Sequence, residues 1–190
     1  MIRAFIAIEL KDEGTVEKIV SFSSRLKQNQ PKIKLVEPIN LHITVKFLGN
    51  ISESIAPKIY KILKEDINES IFQGKTLDFK LKGVGQFNRY SVFWIKLIGD
   101  IPFLQTVKEK VEKLLYEKLD IKYDKRKEFK AHLTIGRLKS KSINYKNYNI
   151  FKKLIQENKN LEFGTFKINE VKLKKSVLTP KGPTYSDLVY

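Results

Sequence analysis

The sequence predicts a single unit that mixes strands, some of them antiparallel neighbours, with helices, and two observations lead there. Apolar runs of strand length alternate with amphipathic stripes of helical period along the whole chain. No low-complexity linker interrupts the 190 residues, so one unit spanning 1–190 is expected. A chain of this length buries roughly 70% of its unfolded surface, enough for a real core.

Residues 2–9, IRAFIAIE, read as a strand near the sheet centre, ended by Asp12 and Glu13, with Asp12 placed to cap a helix. Val16, Ile19, Val20 and Leu26 mark the apolar face of that helix, which reaches about Gln28 before Pro31 and a short extended KLVEP stretch. HITVKFLG at 42–49 is the next strand, closed by Gly49. Ile55, Ile59, Ile62, Leu63 and Ile67 then form an amphipathic helix starting near Ser52. TLDFKLKG and Val92 to Ile98 read as neighbouring antiparallel strands joined by a turn at Asn88 and Arg89. Leu104, Val107, Val111, Leu114, Leu115 and Leu119 trace a helix, followed by the HLTIGR strand at 132–137. A helix at Tyr148 to Glu157 precedes a strand pair, Phe166 to Leu178 and Tyr185 to Tyr190, turning at Pro180 to Pro183.

Composition narrows the function. Thirty-seven Lys and Arg against 21 Asp and Glu give a formal charge of +16, spread along the chain, which predicts a basic folded surface and nucleic acid as the first partner. The absence of Cys excludes disulfide scaffolds, thiolate zinc sites and cysteine nucleophiles, and two His without an HExxH pattern exclude the common histidine-rich metal catalysts. No metal or cofactor is expected. No membrane span or signal-peptide pattern is visible, so a cytoplasmic monomer without membrane attachment is the expectation.

Both histidines sit in the same pattern, His42-Ile43-Thr44-Val45 and His132-Leu133-Thr134-Ile135. Side chains alternate faces along a strand, so each motif presents one imidazole and one hydroxyl together while the aliphatic residues point to the core. Two such units around one point suit a phosphodiester: one imidazole serves as general base, the other as general acid, and the threonine hydroxyls take the developing negative charge. A lone strand histidine is more often packing than chemistry; two matching motifs in a chain with no other His outweigh that reading. Lys46 shares the parity of His42 and Thr44, so it is a candidate to reach the cleft and meet the phosphate, with a solvated strand end as the other reading. Arg137 has the opposite parity to His132 and needs a bulge at Gly136 to turn inward. Phe5, Phe47, Phe87 and Tyr185 are read as core rather than site residues.

On these motifs the sequence resembles the 2H phosphoesterase superfamily, and within it the RNA 2',3'-cyclic phosphodiesterases once called 2'-5' RNA ligases. MIRAFIAIEL resembles the opening strand, HITVKFLGN and FKAHLTIGR the two motif blocks, and Ser176-Val177-Leu178 with Gly182 and Tyr185 the closing hairpin. Ala131 departs from the family's usual Pro before the second motif. The resemblance implies two pseudo-symmetric α+β lobes flanking a groove, a single bilobal domain, and RNA with 2',3'-cyclic phosphate ends as substrate, tRNA fragments among the candidates. It implies that His42 protonates the leaving ribose 3'-oxygen and His132 activates water, giving a 2'-phosphate; the residues themselves leave these roles interchangeable. Two other readings stand beside it: a non-catalytic protein that binds RNA ends, and an enzyme for another cyclic or 2'-5' linked nucleotide.

Overall fold

The computed structural model describes residues 1–125, 128–179 and 182–190. In chain order the elements are β1 (Ile2–Glu9), α1 (Glu13–Asn29), β2 (Lys34–Leu35), β3 (His42–Ile51), α2 (Ala56–Lys61), β4 (Leu77–Phe87), β5 (Val92–Ile98), α3 (Ile101–Leu119), β6 (His132–Arg137), α4 (Tyr148–Glu157), β7 (Glu162–Ile168), β8 (Lys172–Thr179) and β9 (Gly182–Asp187). After α2 the helix runs on as a π-helix over Ile62–Phe72.

Eight strands follow the order β7-β4-β5-β6-β3-β1-β8-β9, with β2 added to β6, and every pairing is antiparallel. The order is a palindrome about the β6–β3 junction: β6 answers β3, β5 answers β1, β4 answers β8 and β7 answers β9. One lobe therefore holds β3, β1, β8 and β9, and the other β6, β5, β4 and β7. The sheet curls into a half-barrel with the helices packed on it.

The helices do not stay with the strands that lead into them. α1 leaves β1 in the first lobe and packs on β7 and α4 in the second, while α3 leaves β5 in the second lobe and packs on β3 and the π-helix in the first. The α1–β7 approach is close: Thr15 Oγ1 donates to the Thr165 carbonyl at 3.4 Å, and a Cβ on Gly164 (φ +147°) would stand 2.2 Å from Thr15 Oγ1. One continuous core of aliphatic and phenylalanine side chains runs beneath both lobes, from Ile6 and Ile43 through Leu133 and Ile95 to Phe151 and Phe163.

Local chemistry explains the boundaries. The Asp12 carboxylate accepts the Thr15 N–H at 2.8 Å and caps α1 as expected, and Asp100 does the same for α3 by accepting from Phe103 at 2.9 Å. Residues 88–90 turn with positive φ between β4 and β5. Four expectations are corrected. Val20 lies on the solvent side of α1, where Phe22 takes the buried place. Gly49 does not close β3; its φ of +70° accommodates a bulge and the strand continues to Ile51. The second helix begins at Ala56 rather than near Ser52. The segment expected as one strand from Phe166 to Leu178 is two, broken at residues 169–171, with β7 on one edge of the sheet and β8 in the other lobe. The turn expected at Pro180 to Pro183 lies partly outside the described residues. Among the described residues no helix is long and apolar enough to cross a membrane.

Candidate active site

The two motifs meet at the centre of the sheet. Ile43 of β3 pairs with Leu133 of β6, and one step of antiparallel register to either side sets His42 across from Thr134 and Thr44 across from His132. The groove is therefore built from adjacent strands at the palindrome's centre, with the four polar residues half-buried on one face and Ile43, Val45, Leu133 and Ile135 in the core behind them.

Both imidazoles are fixed in the same way. His42 Nδ1 stands 2.6 Å from the Asn40 carbonyl and His132 Nδ1 is 2.5 Å from the Lys130 carbonyl, two residues upstream in each case. A carbonyl only accepts, so Nδ1 carries the hydrogen and Nε2 holds the lone pair of the neutral ring. The same nitrogen is thus left open in both copies, able to accept a proton when the ring is neutral and to give one when it is charged.

Aromatic rings hold each imidazole. Phe5 lies 4.9 Å from His42, centroid to centroid, and Tyr185 stands edge-on at 5.2 Å. Phe87 stands edge-on to His132 at 5.1 Å, with Trp94 at 6.2 Å. Three of these four were expected to be core, and Trp94 escaped notice altogether. The signal that could have found them is strand parity: Phe5 falls on the Glu9–Ala7 face of β1 that pairs with His42 and Thr44, and Trp94 pairs with Thr134.

Bulges decide the fate of the two basic residues. On β3 the register against β1 shifts between Thr44 and Lys46, so Val45 is the extra residue and parity inverts beyond it. Lys46, expected in the groove, turns to the opposite side; it is 1% exposed and donates to Glu112 Oε1 at 3.3 Å, Asp124 Oδ1 at 2.9 Å and the Lys122 carbonyl at 3.0 Å. Phe47, 68% exposed, takes the groove side in its place. On β6 the register against β5 shifts across Ile135, one residue before the expected bulge at Gly136, and Arg137 pairs with Val92 on the Trp94 side. Arg137 is exposed there and its charge acts on both His42 and Tyr185. The two strands thus carry the same irregularity at the same place, just after the threonine.

The His42 pKa lies below the usual histidine value. Burial is the main cause; the bond to the Asn40 carbonyl and the Glu9 charge oppose it, and the Lys174 and Arg137 charges reinforce it. Among the described residues no three His, Cys, Asp or Glu side chains gather as a metal site. Ala131, where the resemblance led one to expect Pro, donates its N–H to the Phe129 carbonyl at 3.1 Å, a bond a proline would forgo.

Residues 4–186 match the family described as "AKAP7 2'5' RNA ligase-like domain". The chain belongs to the 2H phosphoesterase family. Two curated relatives, from Methanocaldococcus jannaschii (37% identical, 96% of each chain covered) and Archaeoglobus fulgidus (36% identical, 98% of this chain and 97% of the relative), are named RNA 2',3'-cyclic phosphodiesterase. Among solved structures, TT0787 of Thermus thermophilus matches with a TM-score of 0.70 at 25% identity, covering 99% of this chain and 96% of that one. The apo form of E. coli LigT matches in fold with a TM-score of 0.69 at 21% identity, covering 99% and 95%.

Proposed function

We propose that this 2H phosphoesterase hydrolyses RNA 2',3'-cyclic phosphate ends to 2'-phosphates by a metal-independent His/His acid–base pair. The observation that carries the reading is the matched pair of imidazoles, each with Nδ1 committed to a carbonyl two residues upstream, on adjacent strands with a threonine across from each. The names of the archaeal relatives support the substrate class.

In the forward direction one neutral Nε2 takes a proton from water as its oxygen attacks phosphorus. The bond from phosphorus to O3' breaks, and the second imidazolium gives its Nε2 proton to O3', leaving a 3'-hydroxyl and a 2'-phosphate. Thr44 and Thr134 donate to the non-bridging oxygens and Arg137 offsets their charge. By family likeness His42 is the acid. Its pKa is lowered in the ligand-free protein, and a bound phosphodiester anion opposes that shift by favouring the imidazolium. With a 5'-hydroxyl in place of water as the nucleophile, the same transfers form its bond to phosphorus and release O3', so 2'-5' ligation is the same chemistry with a different nucleophile.

The test uses a cyclic-phosphate oligonucleotide with the product phosphate mapped. Activity is expected to survive EDTA, and His42→Ala and His132→Ala are each expected to lower kcat by about 10²-fold or more, the double variant falling far less than the product of the two. Abolition by chelation with recovery on a divalent ion refutes the metal-free mechanism. Tight RNA binding with no turnover on any cyclic phosphate establishes the RNA-end binder instead.

A further inference from the structure

A carboxylate stands directly across the strand pair from His42. Glu9 of β1 is its register partner, so the two side chains leave the sheet on the same face. The corresponding partner of His132 is a cation, Lys96 of β5. A bare carboxylate beside an imidazole captures the imidazolium as an ion pair and holds the ring charged well above neutral pH. Glu9 is not bare. Lys174, 7% exposed on β8, bonds Glu9 Oε1 and Asp187 Oδ1, while Lys172 reaches Glu9 Oε2 at 2.9 Å and Asp187 Oδ2 at 3.0 Å. The quartet is neutral, two carboxylates against two ammonium groups, with Lys11 at 3.4 Å on its rim. Lys174 pairs with Phe5, whose ring rests against His42, so the ion cluster and the imidazole share one wall.

We propose that Lys174 is a positioning residue for His42: by holding the Glu9 carboxylate in an ion pair, it withholds from the imidazole a partner that would lock it in the charged form. The neutral quartet leaves the imidazolium of His42 without a bare carboxylate to hold it. The charged and titratable groups facing His42 are Glu9 on β1, Lys174 on β8, Tyr185 on β9 and Arg137 on β6. Consistent with the claim on Glu9, its pKa is held down to about 2: burial pushes it up, and the bonds and charges of Lys174 and Lys172 overcome that. This inference deepens the proposed function, yet its readout is independent of turnover.

The experiment is an NMR pH titration of the full chain, which has only two histidines, assigned with His132→Asn. Lys174→Met is expected to raise the His42 pKa by about one unit, Glu9→Gln to lower it, and the double variant, which leaves the neutral Asp187–Lys172 pair, to fall near the parent value, with His132 unmoved in all three. Lys174→Arg, which keeps the charge, restores the parent value. Shifts of the same sign in Lys174→Met and Glu9→Gln, or no shift, overturn the inference, because a purely structural role predicts no opposition of sign. If Lys174→Met fails to fold by circular dichroism, Lys172→Met and Glu9→Gln carry the same opposed expectation. Turnover absent with the opposed shifts present refutes the proposed function alone; the reverse refutes only the role of Lys174.

Discussion

Replacing Lys46 with Met separates the structural role found for this lysine from the phosphate contact its parity suggested. The side chain ends in a cluster with Glu112 (5% exposed), Lys108 (5%) and Asp124 (31%), and Lys108 keeps its own contact to Glu112 at 2.9 Å. Removing one partner of a buried pair costs about 3–5 kcal/mol, because the remaining charge stays desolvated. Two features place the loss at the low end: Lys108 still neutralises Glu112, and Asp124 is partly solvated. The Met side chain fills the space of the lysine stem, so no cavity term is added. The expected loss is about 3 kcal/mol, or a Tm lower by roughly 6–12 °C at this chain length. Thermal and urea unfolding measure it, alongside KM for a cyclic-phosphate dinucleotide, which is expected to stay within about twofold. A Tm change under about 2 °C together with a KM raised about tenfold would return Lys46 to the groove and refute the parity inversion at Val45.

Two further outcomes are expected. Because the folded pKa of Glu9, about 2, lies below its unfolded value, its contribution to stability is present above about pH 4.5 and is lost as pH falls toward 2; Glu9→Gln should flatten the acid limb of a stability–pH curve measured by urea titration. In Gly85→Ala the new Cβ would stand 2.2 Å from Trp94 Cη2, so the indole must move from beside His132, with a loss of about 1–3 kcal/mol and a shift in the emission of the chain's single tryptophan; unchanged emission would place the ring elsewhere.

Much of the architecture was legible because local pattern and tertiary burial agree. β1, β5, β6 and α4 have the bounds their apolar patterns indicated. What stayed hidden depends on partners distant in sequence. Val45 and Ile135 are ordinary β-branched strand residues, and nothing in their identity marks them as bulged; the shift exists only against β1 and β5, which fix the register. That one feature sent Lys46 away from the groove and turned Arg137 toward it. Lys108 and Glu112 interrupt no stripe of α3, so a buried ion cluster could not be told from a solvated helix face. The aromatic walls of the histidines were hidden by number, because Phe and Tyr are common in this chain and a ring beside a strand is usually core.

The exchange of α1 and α3 between lobes has a mechanical consequence. The first half of the chain, through β4, lends α1 and β4 to the second lobe; the second half lends α3, β8 and β9 to the first. The lobes are clasped like folded hands, each gripped by chain that belongs to the other. A hinge at the β3–β6 junction would have to drag both crossing helices across the core, disturbing packing that is close at contacts such as Thr15 on Gly164. The spacing between the two imidazoles is therefore set by the weave of the chain, and any group that binds between them meets a separation fixed before it arrives.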